Sequence, residues 1–156
     1  MKNKKIRVAV IGVGNMGRHH VRNYSMISGV ELVAIADINP SSLNLAKEYK
    51  TNFYKDYKEM IEKEKPDAVS IVVPTPYHYE VGSYIINKGI HCLVEKPIAY
   101  SVDEADDLIK LANQKKVVFT VGHIERYNPL IRAIKKIVEE GKLGKQPEEA
   151  GRGQPV

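Results

Sequence analysis

The sequence predicts an α/β fold: a doubly wound parallel sheet of six strands, the Rossmann arrangement, with helices on both faces. Three observations predict it. Short β-branched runs alternate with amphipathic segments along the 156 residues. The runs are apolar on both faces, as strands covered on two sides must be. The first run leads directly into Gly12-Val13-Gly14-Asn15-Met16-Gly17, and a helical pattern follows. Parallel strands joined through helices take right-handed crossovers, which gathers ligands at the carboxyl ends of the strands.

Taken in order, strands are expected at about Arg7 to Ile11, Glu31 to Ala36, Asn52 to Tyr54, Ala68 to Val73, His91 to Glu95 and Val117 to Val121. The punctuation between them agrees. Asn39-Pro40 reads as an N-cap followed by a first-turn proline, Asp56 can cap the next helix, and Ser101 with Glu104 spells a capping box. Gly89 stands where a left-handed C-cap is wanted. A last helix, Leu130 to Glu140, follows Asn128-Pro129 and stops at Gly141, with Leu130, Ile134, Ile137 and Val138 on one face. One domain is thus expected over residues 1–143, this linking helix included. Residues 144–156, with three glycines, two prolines and few apolar residues, read as a disordered or aberrant tail.

Composition narrows the function. A chain that is 43% hydrophobic and 28% charged can bury one ordinary core. The net charge of +5 is spread as scattered lysine pairs, not gathered into a stripe, so a nucleic-acid partner is not expected. No apolar run is long enough to cross a bilayer, so no membrane partner is expected either. Cys92 is the single cysteine and lies in an apolar run, which suits a buried thiol in a reducing cytoplasm. The histidines and this cysteine show no ligand spacing, so no metal is expected.

The glycine motif carries the first chemical expectation. Gly12 permits a tight turn, Gly14 lets the backbone approach a pyrophosphate, and Gly17 lets helix and strand pack closely, while Asn15 and Met16 open the helix whose free N–H groups receive the phosphates. Asp37 ends the second strand, twenty residues beyond Gly17, where a carboxylate can accept both hydroxyls of a ribose. A 2′-phosphate would meet like charge there, and neither Ile38 nor Asn39 offers an arginine, so the cofactor expected is NAD.

The stretch LVEKPIA poses a further question, because a buried strand ends in Glu95, Lys96 and Pro97. One answer is a salt bridge closing the strand, with the proline as terminator. The other is chemical. A lysine at a half-buried, water-poor edge has a pKa that is easily lowered, and a cation there can polarise an alcohol whose hydride is leaving. Glu95 can balance the charge and bond a sugar hydroxyl.

The stretches GVGNMGRHH, ADINP, VVPTPYHYE, VEKPIA and GHIERYNP together resemble the Gfo/Idh/MocA oxidoreductases over roughly Ile6 to Gly144. The resemblance implies that Pro74, Thr75 and Pro76 wrap the cofactor at the end of the fourth strand and that His78 starts the next helix beside it. It implies that Glu95 and Lys96 face the nicotinamide riboside, with Lys96 the catalytic residue that holds ribose and substrate and assists proton transfer. His123 and Arg126 would lie near cofactor and substrate, whereas His19 and His20 read as helix packing or a phosphate contact. GHIERYNP is similar to the stretch in members that oxidise nucleotide sugars such as UDP-N-acetylglucosamine. The activity implied is hydride transfer between nicotinamide and a sugar, inositol or nucleotide-sugar alcohol. The alternative is a non-catalytic NAD-binding module, a redox sensor or interaction partner. The resemblance implies that family members continue into a second, substrate-binding domain, which is expected to be absent from this sequence. The chain alone is therefore expected to be inactive and, with apolar surface left uncovered, to self-associate.

Overall fold

A computed structural model describes residues 4–142 and residue 144. The chain divides into two units after Gly122. The first holds six parallel strands: β1 (Ile6–Ile11), β2 (Val30–Ala36), β3 (Asn52–Tyr54), β4 (Ala68–Ile71), β5 (His91–Val94) and β6 (Phe119–Val121). Their order across the sheet is β3-β2-β1-β4-β5-β6. The chain first winds outward from β1 to β3, then returns to β4 on the other side of β1. The switch point therefore falls between β1 and β4, where the two halves wind apart and leave a crevice at the carboxyl ends.

Five helices cover this sheet: α1 (Asn15–Met26), α2 (Leu43–Glu48), α3 (Tyr57–Glu64), α4 (His78–Asn87) and α5 (Val102–Lys115). The period-two alternation of the strands sorts them into two layers. Val10 and Ile35 point to one face and are covered by Val21 of α1 and by Leu45 and Ala46 of α2. Ala9, Ile11, Ala34 and Ala36 point to the other, under Met60, Ile85 and Leu108 of α3, α4 and α5. Cys92 lies in that second layer at 3% exposure, and burial pushes its thiol pKa up to about 12.

Three helix starts form as the sequence indicates. Asn39 Oδ1 accepts from Ser41 N–H at 3.0 Å, Asp56 Oδ1 from Lys58 N–H at 2.8 Å, and Ser101 Oγ from Glu104 N–H at 3.2 Å. The return arm of the capping box differs, because Glu104 accepts from the Tyr100 N–H and not from that of Ser101. Gly89 takes its left-handed conformation at φ 73°. Lys50, Lys65 and Lys116 do the same without being glycine. Each precedes a strand at the amino end of the sheet, where a cation also suits the helix carboxyl terminus.

Two strands end earlier than expected, and the hydrogen bonds give the reason. Val72 still donates to the Ile11 carbonyl, but β1 turns away at Gly12 and Pro74 has no N–H, so the ladder stops. Glu95 likewise donates to Ile71 after β5 has formally ended. β6 begins two residues late because Val118 N–H is bound by the Nδ1 of His91 at 3.0 Å in place of a backbone carbonyl. His91 is structural, as its position suggests.

The second unit begins at His123 with a single 3-10 turn, Ile124–Tyr127, and continues into α6 (Pro129–Glu139), one residue ahead of the expected span. Asn128 caps α6 through Leu130 N–H at 3.0 Å. The tail expected over residues 144–156 lies, apart from Gly144, outside the described residues. Among the described residues no helix is long and apolar enough to cross a membrane, and no group of three or more acidic, histidine or cysteine side chains could hold a metal.

Candidate functional site

A cleft of about 780 Å³ opens at the carboxyl ends of the strands, built entirely from the first unit. A smaller depression of about 390 Å³ lies at the opposite end of the sheet, between Pro66 and His91. Size and position at the switch point favour the first as the ligand site.

The three glycines of the turn do three different things. Gly12 has φ 83°, and a Cβ there would stand 2.6 Å from the Val72 carbonyl oxygen. At Gly17 a Cβ would lie 2.0 Å from the Gly12 oxygen, so α1 can seat on the turn only without a side chain. At Gly14 a Cβ meets nothing within 4 Å. The space beside Gly14 is open, and a ligand can approach the backbone there. α1 begins without a side-chain cap and without an acidic residue in its first turn, which leaves its N–H groups free for an anion.

Asp37 is half-buried against this turn. Its Oδ2 accepts from Val13 N–H at 2.7 Å and its Oδ1 from Asn39 N–H at 2.8 Å. Each oxygen keeps a lone pair for a further donor. Gly12, Gly14, Met16 and Asp37 line the cleft on this side, while exposed Asn15 and buried Gly17 are not part of the lining. Tyr57 lines it too; its buried hydroxyl has no hydrogen-bond partner among the described residues, and burial together with the charge of Glu80 pushes its pKa up to about 12. It remains a phenol with a hydrogen to give.

Pro74, Thr75 and His78 form the middle of the cleft, with Pro76 turned out of the lining. His78 opens α4 as expected, but it is 1% exposed. Its ring nitrogens lie 2.8 Å from the Pro97 carbonyl oxygen and 2.9 Å from that of Val73. The ring is a brace between the two loops that follow β4 and β5.

Glu95 and Lys96 complete the lining at the end of β5. From Asp37 at the end of β2 they are separated by the width of β1 and β4, three strand spacings or roughly 14 Å. The structure corrects two expectations here. Lys96 is exposed, so the water-poor setting expected from the strand is not supplied by these residues. Nor does Glu95 form a salt bridge with the Lys96 ammonium. Glu95, 7% exposed, directs Oε1 to His20 Nε2 at 2.9 Å and accepts the Lys96 backbone N–H on Oε2 at 3.2 Å. Gly122 makes room for it, since a Cβ there would stand 2.9 Å from Oε1. His20 was expected to serve helix packing or a phosphate; it spends both nitrogens elsewhere, the second on Ser70 Oγ at 3.2 Å. No local signal marks this contact, because the side chain of His20 reaches from α1 to Ser70 of β4 and Glu95 after β5, residues far away in the sequence. His123 and Arg126 belong to the second unit, where both are exposed and Arg126 N–H donates to the His123 carbonyl.

A doubly wound sheet with an open glycine turn at its switch point and a ribose-type acid on the neighbouring strand defines a dinucleotide-binding domain. Comparison with known proteins makes the class specific: the model of an oxidoreductase family with an NAD-binding Rossmann fold matches residues 6–123. The chain belongs to the Gfo/Idh/MocA oxidoreductase family and comprises its NAD-binding Rossmann domain. It is 36% identical over 132 residues to the UDP-N-acetylglucosamine 3-dehydrogenase of Acidithiobacillus ferrooxidans, covering 84% of this chain and 41% of that protein. A solved myo-inositol 2-dehydrogenase from Lactobacillus plantarum is 38% identical, with TM-score 0.84, over 91% of this chain and 43% of the other. The scyllo-inositol dehydrogenase of Lactobacillus casei, solved with NAD(H) and scyllo-inositol bound, is 27% identical with TM-score 0.83, again over 91% and 43%. The chain thus spans less than half the length of these relatives.

Proposed function

We propose that this chain is the cofactor-holding half of a cytoplasmic NAD-dependent dehydrogenase that acts on a sugar-like secondary alcohol, such as an inositol or the sugar of a nucleotide sugar. The observation that carries the reading is the spacing within one cleft: an acid clamped to a glycine turn at one end, a lysine at the other, roughly 14 Å apart. That spread suits a dinucleotide. The relatives named above, which act on an inositol or a UDP-sugar, support the substrate class. The buried, unpaired Cys92 supports a reducing compartment.

NAD, when bound, supplies a hydride acceptor at its nicotinamide. The chain's own residues bind and orient. Asp37 accepts the adenosine ribose hydroxyls on the lone pairs left free by Val13 and Asn39. Asn15, Met16 and Gly17 give their N–H groups, beside the open space at Gly14, to the pyrophosphate. Pro74, Thr75, Pro76 and His78 shape the wall between the two ends. Lys96 holds the second ribose and the alcohol oxygen and assists transfer of that oxygen's proton, with Glu95 beside it. The family resemblance assigns His123 and Arg126 a role toward the substrate. The retention of Lys96 and Glu95 on the cleft favours this over a purely non-catalytic module.

The test is to titrate the chain with NADH by nicotinamide fluorescence, then to incubate it with NAD and a panel of inositols, sugars and nucleotide sugars and follow absorbance. NADH binding that weakens in Lys96→Ala is expected, with no turnover near 1 per second, because the chain spans less than half the length of its relatives and orienting the alcohol is worth about 7–11 kcal/mol. Absence of NADH binding would overturn the reading. Turnover at ordinary rates would overturn the division of labour.

A further inference from the structure

The geometry points to His20 as a positioning residue that sets the nicotinamide end of the cleft by holding the Glu95 carboxylate; this rests on the dinucleotide reading above. His20 and Glu95 come from distant parts of the chain, α1 and the end of β5, and meet beneath the cleft. Their side chains are 15% and 10% exposed. The contact is one link in a longer chain: Tyr24 Oη lies 2.7 Å from Ser70 Oγ, Ser70 Oγ 3.2 Å from His20 Nδ1, and His20 Nε2 2.9 Å from Glu95 Oε1. Ser70 is fully buried.

The chemistry of the partners fixes the direction of the hydrogens. A carboxylate accepts and does not donate, so the hydrogen of this contact lies on Nε2. Nδ1 faces the Ser70 hydroxyl, which can donate to a neutral ring or accept from a doubly protonated one, and in both cases Nε2 donates to Glu95. Each of the four side chains has a partner in this network, and the Nε2 hydrogen points to Glu95.

Glu95 is held at both oxygens, Oε1 by His20 and Oε2 by the Lys96 N–H, in space that a side chain at residue 122 would fill. Loss of His20 leaves Oε1 unpaired in a buried place, which costs enough to turn the carboxylate toward water in the cleft. That movement disturbs the Lys96 backbone and the surface on which the nicotinamide riboside rests. The adenosine end is untouched, because the Asp37 carboxylate bonds Val13 and Asn39 and nothing in the His20 network. His20 therefore governs one half of the ligand and spares the other.

The test compares NADH with ADP, which lacks the nicotinamide riboside, as ligands of the full chain and its variants. His20→Ala should weaken NADH about tenfold, the scale of one hydrogen bond to a charged group, while ADP stays within about twofold. His20→Gln, whose amide can donate to Glu95, should recover most of the loss. Equal weakening of NADH and ADP would reduce His20 to a packing residue and overturn the inference, as would an unchanged NADH affinity in His20→Ala. Should that variant fail to fold, nitrogen NMR of the unmodified chain decides: the ring hydrogen is expected on Nε2, and a hydrogen on Nδ1 alone would overturn the assignment. An unmodified chain that binds ADP but not NADH, or neither, refutes the proposed function and is separable from any of these outcomes.

Discussion

Asp37 and Val13 are tied together, carboxylate oxygen to backbone N–H at 2.7 Å, so the acid offered to the ribose also holds the glycine turn in place. Binding and local stability are coupled in one side chain. Replacing Asp37 with Ala leaves the buried Val13 N–H without its partner and is expected to cost about 1–3 kcal/mol of stability. Chemical denaturation measures this directly; a stability unchanged by Asp37→Ala would mean that the turn holds itself.

The glycines of the turn separate folding from binding. Gly17→Ala places a Cβ 2.0 Å from the Gly12 oxygen, and overpacking of this kind costs about 1–3 kcal/mol or more. Gly14→Ala meets no protein atom within 4 Å and should fold normally. Its methyl would occupy the space assigned to the pyrophosphate, so NADH affinity should fall about tenfold or more with the melting temperature held. A Gly14→Ala variant that binds NADH as the parent does would remove the phosphates from this turn.

Alkaline pH should destabilise the domain through Cys92. The buried thiol stays protonated in the folded chain to about pH 12, whereas in the unfolded chain it ionises from about 9. Between those values the folded state binds more protons, so stability is full below about pH 9 and falls as pH rises, by about 1.4 kcal/mol per unit from this group. Tyr57, also pushed up to about 12 by burial, adds in the same direction from about pH 10. Urea titrations at stepped pH, with Cys92→Ala as the control that flattens the lower part of the slope, check the sign. Stability rising with pH in that window would contradict it.

α6 predicts assembly. Leu130, Ile131, Ile134 and Ile137 are 65%, 41%, 43% and 38% exposed on one helix, an apolar face that favours association. Sedimentation of the chain should show dimers or larger species that Ile134→Lys shifts toward monomer. A monomer at high concentration would rule out self-association.

The sheet, its strand spans to within two residues, and the glycine turn were all legible, because they depend on local patterns: β-branched runs, a three-glycine motif and N-capping side chains. The exceptions arise where long-range contacts decide. β4 stops at Ile71 because its neighbour β1 leaves at Gly12, and β6 starts late because the His91 ring, from β5, takes the Val118 N–H. Lys50, Lys65 and Lys116 adopt left-handed turns that no glycine marks in the sequence. In the site, the positions of Asp37 and Lys96 could be read from the order of elements, since both follow strand ends. The partner of Glu95 could not. His20 lies 75 residues away and reaches Glu95 only because its side chain extends from α1, which packs over β1 and β2, past Ser70 of β4 to the end of β5. The exposure of Lys96 was equally hidden, being set by what surrounds the loop and not by the strand before it.

The central claim is that this cleft holds NAD(H) with Asp37 on the adenosine ribose, and calorimetric titration of the chain with NADH and with NADPH tests it most directly. The carboxylate should accept the ribose diol and repel a 2′-phosphate, giving NADH an advantage of about tenfold or more that narrows in Asp37→Ala. Equal affinities, or tighter binding of NADPH, would contradict the account.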